Sequence, residues 1–289
     1  MSNAAGAPEA TPEGLIQLGG VPPIGRYVRS IWERREFAAS LALGELRSMH
    51  MDTVLGAFWH LLNPILLTAV YYVVFELVLN VGSARGHENY IAFLSIGIFS
   101  YSYSQRCVMF GAGAITSNIG LIRSLQFPRA LLPIAAVMRE TIAYGYALFV
   151  VLLILGITRE PLTPSWLMFL AILALQIVFN IGAALLASRL SEQVRDIQNV
   201  LPFLFRLTFY FSGTLFDVEK LLGSHEDLLW IFTLNPFFAF TSLPRQYLLS
   251  EPQSDLLPLM WISALAWTAV LLVVGLVFFR GGEHQYGRR

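Results

Sequence analysis

Residues able to do covalent or hydrolytic chemistry are sparse in this sequence and do not converge. Lys220 is the only lysine among 19 basic residues, and it stands in Phe-Asp-Val-Glu-Lys-Leu-Leu-Gly. A phosphate-binding P-loop needs Gly-x-x-x-x-Gly-Lys-Ser/Thr, because backbone amides cradle the phosphates while the lysine reaches them, so ATP hydrolysis by that route is not expected of this chain. His50, His60, His87, His225 and His284 fall in separate segments without paired ligand spacing, and the one cysteine, Cys107, lies in an apolar stretch. No metal site and no disulfide are expected from such a set. The Gly-x-Ser-x-Gly elbow of hydrolases is also absent, and no catalytic residue is assigned.

Five charges interrupt otherwise apolar segments: Glu76, Arg106, Arg139, Glu140 and Arg206. Charges in such places usually mark function in a membrane protein. A proton relay needs several carboxylates or histidines at linked depths, and two glutamates at different depths are too few. The plain expectation is that each arginine pairs with a carboxylate or a carbonyl between helices; the alternative is that they line an aqueous path. Phe205, Phe209 and Phe216 recur about one and two helical turns apart with Arg206 beside them. That face could offer rings to sugar C–H surfaces and a cation to phosphate, although ordinary helix packing uses the same spacing. With Tyr71, Phe75 and Arg106, the residues Phe205, Arg206 and Phe209 form the expected translocation path.

The elements that must position these residues follow from composition. Of 289 residues 56% are hydrophobic and only 13% charged, against about 25% charged in a soluble domain. Equal numbers of acidic and basic residues leave no basic surface for nucleic acid. Charges are absent from 53–75, 141–158, 161–188 and 256–279, and only Arg106 interrupts 89–122. A bilayer core needs about 20 apolar residues per helix, so an all-α integral membrane protein with six spans is expected, at about 58–79, 90–115, 131–156, 166–188, 197–216 and 258–279. Arg26, Arg29, Arg34, Arg35, Arg47, Arg123, Arg129, Arg189, Arg195, Arg280, Arg288 and Arg289 then share one side, against Arg85, Arg159, Lys220 and Arg245 on the other. The positive-inside rule puts both termini in the cytoplasm.

Residues 1–24 lack a signal-peptide pattern and read as a disordered cytoplasmic tail. About 27–46, apolar and charged positions alternate at helical spacing, as in an interfacial helix on the inner leaflet or one packed on a partner protein. Between the fifth and sixth spans, the charge-free 228–244 is broken by Asn235-Pro236 and Pro244. Two short re-entrant helices in the outer leaflet are expected there, with Asn235, Pro236 and Arg245 as their marked residues, since broken backbone at that depth must be buried in protein. Two further full spans are the rival.

The order of several local motifs resembles the ABC-2 type permeases that export polysaccharides such as O-antigen, capsule and teichoic acid. The likeness covers the chain from about Tyr27 onward. It is carried by Val54-Leu55-Gly56-Ala57-Phe58-Trp59 with Leu62-Asn63-Pro64, by Tyr71-Tyr72-Val73-Val74-Phe75, and by Asn118-Ile119-Gly120-Leu121-Ile122-Arg123 with Phe127-Pro128-Arg129. Arg195-Asp196-Ile197, Leu234-Asn235-Pro236, Arg245-Gln246-Tyr247 and Phe279-Arg280 with Glu283 continue it. Gly44-Glu45 and His50-Met51 depart from it, standing where the family has an Arg-Asp and an Arg-Tyr pair.

The resemblance implies a homodimer that joins two separate ATPase subunits, which hold ATP and Mg, and that translocates a lipid-linked polysaccharide across the plasma membrane. It further implies that Asn118 to Arg129 is the coupling helix docking on the ATPase, with Asn118, Ile122, Arg123, Phe127 and Arg129 as its residues. The Arg and Ala bias points to a GC-rich, actinobacterial genome, and the chain looks most like the mycobacterial-type permease for lipid-linked galactan. The other classes weighed are an integral-membrane glycosyl- or acyltransferase, which would need an acidic or histidine constellation, and a proton-coupled carrier relying on Glu76 and Glu140.

Overall fold

Apolar segments without outside partners must satisfy their own backbone, and the helix does so locally. In the computed structural model every regular element among the described residues, 23–48, 56–80, 89–222, 226–250, 253–283 and 286, is helical. The expected tail up to residue 22, His50-Met51, Val54-Leu55, Arg85, Arg288 and Arg289 lie outside them.

Two helices, α1 (Ile24–Glu33) and α2 (Arg35–Ser48), open the chain, followed by α3 (Trp59–Tyr72), which runs on through a π-helical turn, Val73–Val78. Next come α4 (Tyr90–Ser117), the short α5 (Ile119–Ser124), α6 (Leu131–Ile157) and α7 (Trp166–Gln193). After α8 (Ile197–Tyr210) stand three shorter helices, α9 (Val218–Leu222), α10 (Glu226–Thr233) and α11 (Pro236–Leu248), and then α12 (Leu257–Gly281).

Among the described residues four segments are long and apolar enough to cross a membrane: Leu61–Val78, Leu131–Ile157, Trp166–Gln193 and Leu257–Gly281. They coincide with four of the six expected spans. Of the other two, α4 has 28 residues, about 42 Å at the helical rise, but Ser95, Ser100, Ser104, Gln105 and Arg106 make it more polar. The expected 197–216 element is shorter than foreseen, since α8 has 14 residues, about 21 Å. It ends because the chain turns at Gly213, whose φ of +63° suits glycine and little else.

Polarity explains why α4 sits at the centre, between α6 and α7. The Gln176 side-chain nitrogen donates to the Ser100 carbonyl and to Ser104 Oγ, both at 3.0 Å, and Tyr103 stacks on Tyr144 with centroids 4.5 Å apart. By contrast α3 buries little of itself and exposes Ile65, Leu66, Val70 and Val74. Helix α2 lies along the first half of α6, with Ala38 and Ala42 against Leu131 and Ala135.

The closest helix approach is α7 on α12. A Cβ on Gly275 would stand 2.3 Å from the Gly182 carbonyl oxygen, and one on Gly182 would stand 2.6 Å from the backbone of Leu271. Small residues of this kind let backbones touch in membranes. Gly275→Ala is expected to cost about 1–3 kcal/mol through overpacking, read as a lower unfolding midpoint in detergent. Gly145→Ala, where nothing lies within 4 Å, should leave the midpoint unchanged or slightly higher.

Candidate functional site

At the end of the bundle that holds both described chain ends, α4 stops at Asn118 and the chain forms α5 before entering α6. Asn118 shapes the corner: its Nδ2 donates to the Ala114 carbonyl at 3.0 Å, and its own carbonyl accepts the Ile122 amide at 3.0 Å. Ile122 is buried, in one apolar cluster with Tyr27, Ala130, Phe279 and Tyr286. Arg123 and Leu125 face outward. Phe127 is half-buried, 5.0 Å from the Phe37 ring, and the Arg129 amide donates to Glu283 Oε1 at 2.9 Å. The loop thus presents one face and inserts the other.

Just inside this end, Arg106 Nε donates to Glu140 Oε2 at 3.0 Å, Arg139 Nε to Glu140 Oε1 at 3.0 Å, and Arg139 Nη1 to Glu45 Oε2 at 2.7 Å. The Arg139 guanidinium also lies over the Phe110 ring at 4.1 Å. The expected pairing of in-span arginines with carboxylates holds for Arg106 and Arg139. Glu45 supplies an ionic tie from α2 to α6. Beside this chain a cavity of about 360 Å³ is lined by Glu45, Phe110, Thr116, Asn118, Arg139 and Gln198.

The aromatic residues divide between two faces of α8. Phe205 is buried and Phe209 half-buried; they meet Tyr101 with ring centroids at 6.3 and 5.1 Å, and Phe205 meets Phe237 at 5.5 Å. The Tyr101 hydroxyl donates to the Phe205 carbonyl. Tyr71 joins the same group, 6.2 Å from Phe75 and 6.0 Å from Phe209. Arg206 points the other way, over Phe203 at 6.0 Å, and Phe203 is 70% exposed, with Leu207 and Tyr210 also exposed. Sequence spacing grouped Arg206 with Phe205; the structure puts Arg206 with Phe203 and Tyr210 on the exposed face instead.

At the opposite end, Asn235 accepts the Phe237 amide at 3.0 Å as the cap of α11, with Pro236 in its first turn, and donates to the Phe211 carbonyl at 3.0 Å. Arg245 is buried. Its Nε donates to the Phe93 carbonyl at 2.9 Å, Nη1 to Gly213 at 2.8 Å and Nη2 to Thr214 at 2.6 Å, and its guanidinium covers the Phe93 ring at 3.6 Å. Nearby, burial and then the neighbouring Asp217 and Asp255 raise the Glu219 carboxyl above its ordinary value, while the Ser254 hydroxyl bond pulls it down. Among the described residues no three His, Cys, Asp or Glu side chains gather as metal ligands.

Arg139, 9% exposed, holds both Glu140 and Glu45, so removing it leaves the 3% exposed Glu140 carboxylate with Arg106 alone, which is 42% exposed. Arg139→Met is expected to cost about 1.5–3 kcal/mol and to reduce monodisperse protein after extraction more than Arg106→Met does; equal losses would contradict the ranking. The raised Glu219 value means that the folded state binds more protons than the unfolded one between the ordinary carboxylate value and the folded one. Stability should therefore fall as pH rises through that window. Glu219→Gln should flatten this part of the melting profile.

The sequence matches the family described as ABC-2 type transporter over residues 39–249. It is 25% identical over 244 residues to the O-antigen export system permease protein RfbA of Klebsiella pneumoniae, covering 84% of this chain and 90% of the relative. A Myxococcus xanthus protein of the same description is 24% identical over 263 residues, 90% of this chain and 98% of the relative. The polysialic acid transport protein KpsM of Escherichia coli is 25% identical over 255 residues, 84% and 92% respectively. With the family's match spanning most of the chain, and four apolar helical segments of membrane-crossing length among its described residues, the protein belongs to the ABC-2 type transporters.

Proposed function

We propose that this chain is the permease subunit of an ATP-driven exporter that moves a lipid-linked polysaccharide from the cytoplasm to the outer face of a bacterial plasma membrane. It acts as a homodimer with two separate ATPase subunits, which bind ATP and Mg. The observation that carries the reading is α5 with its loop, a short helix standing off the ends of α4 and α6 with Arg123 and Leu125 outward and Ile122 anchored inward. Such an element can receive a push from a partner and pass it into the bundle. The printed functions of the O-antigen and polysialic acid relatives support the polysaccharide class. The absent P-loop supports ATP binding on another chain.

In this reading α4 and α8 cross the membrane together with the four apolar segments, α10 and α11 dip into the outer leaflet, and both termini are cytoplasmic. Helix α1 lies on the inner leaflet, where Ile24, Val28 and Trp32 remain exposed. The exposed α8 face of Phe203, Arg206 and Tyr210, with α3 nearby carrying Tyr71 and Phe75, lines a path between two copies. Aromatic faces suit sugar C–H surfaces, and a guanidinium suits phosphate. ATP-driven closure of the ATPases would push α5 and switch the two copies between discrete arrangements. The finer assignment, a galactan in an actinobacterium, rests on the arginine bias and the overall resemblance.

Purified with its ATPase, the chain is expected to form a 2:2 complex whose ATP-driven export is lost in Arg123→Glu. Unchanged assembly and export in that variant would overturn the coupling assignment. Export that survives ATP depletion but collapses with the proton gradient would instead favour a secondary carrier, and sugar or acyl transfer by the isolated chain would favour an enzyme.

A further inference from the structure

We propose that Glu283, just beyond the last helix, is a positioning residue for the coupling loop, so that a load on α5 reaches α12 directly. The inference rests on the coupling role proposed above and adds a route for the force.

Helix α6 begins at Leu131 without a side-chain cap, and the partial positive charge of its first turn favours a nearby carboxylate. One comes from 154 residues away and holds the residue that leads into the helix: Glu283 Oε1 takes the Arg129 amide at 2.9 Å, and the Arg129 guanidinium donates to the Glu283 carbonyl. Both contacts join the last residues of the coupling loop to the tail. The tail is itself anchored. Gly282 and Glu283 amides donate to the Phe279 and Arg280 carbonyls at 3.1 and 3.2 Å, and buried Tyr286 donates to the Phe279 carbonyl at 2.9 Å. The Arg189 guanidinium of α7 covers the Tyr286 ring at 5.4 Å.

The other chain end grips the same loop. Arg34, at the joint of α1 and α2, donates to the Gln126 carbonyl at 2.6 Å. Tyr27 of α1 shares a buried cluster with Phe279 and Tyr286 of the tail region, and burial and then the nearby Glu283 carboxylate push its hydroxyl above its ordinary value. A loop held by two chain ends and a shared apolar cluster transmits displacement instead of absorbing it.

The test is amide hydrogen exchange on the purified full-length protein, followed by ATP turnover and export in the complex. Loss of a charge-assisted hydrogen bond corresponds to about tenfold in a local opening equilibrium. Glu283→Ala should therefore speed exchange across 125–131 by about that factor, with 166–188 unchanged. Glu283→Gln, which keeps an oxygen acceptor for the Arg129 amide, should restore protection. Should the alanine variant not accumulate, Glu283→Asp, shorter by one methylene, should give intermediate exchange. In the complex, Glu283→Ala should still bind its ATPase and turn over ATP while export falls.

Unchanged exchange at 125–131 would overturn the brace, and faster exchange with full export would overturn the force route. Failure of any ATPase to bind the parent chain would instead count against the exporter reading, while the exchange result would still decide whether Glu283 positions the loop.

Discussion

A backbone carbonyl without a donor is among the costliest things a bundle of apolar helices can hold, and the turn after α8 creates several. Arg245 resolves this by placing its three guanidinium nitrogens on the carbonyls of Phe93, Gly213 and Thr214. The planar fork has donors pointing in fixed directions, which a lysine ammonium lacks. With those carbonyls satisfied, α8 can stop at Tyr210, the chain can turn through Gly213, and Asn235 can cap α11 against the same corner. The corner where α4, the Gly213 turn and α11 meet is held by that capture.

The opposite end obeys the same rule with charges. A buried cation such as Arg139 needs counter-charges, and Glu140 and Glu45 supply them from α6 and α2; the Glu45 contact also ties α2 to α6. Glu283 does likewise for the entrance to α6. Between these two pinned ends, α3 and α8 keep wide apolar faces uncovered. Held ends and an uncovered middle fit the proposed exporter role, in which movement at one end changes how the exposed faces are partnered.

Four segments of membrane-crossing length among the described residues were legible because a long run of mostly uncharged residues leaves a helix little alternative. The pairing of Arg106 and Arg139 was foreseeable from the cost of a lone buried charge, and Asn118 and Asn235 carried cap chemistry in their residue types. The direction of α8 was not legible. Phe203, Phe205, Phe209 and Tyr210 leave no polar side by which to orient the helix, and lipid is as apolar as a protein core. Arg245, counted among the outward cations by its place in the chain, turned out to be buried among carbonyls.

Residue types alone were enough for the helical class, for where most long helices lie and for the absence of a nucleotide-hydrolysing loop, because these depend on hydropathy and on motifs contiguous along the chain. Which face of α8 is open, what closes the turn at Gly213, and that the tail holds the entrance to α6 from 154 residues away became visible in the assembled bundle. The last two are contacts between distant segments, made by side chains whose hydrogen-bond partners are backbone carbonyls and amides, and such groups are present at nearly every position and so leave no mark in a sequence.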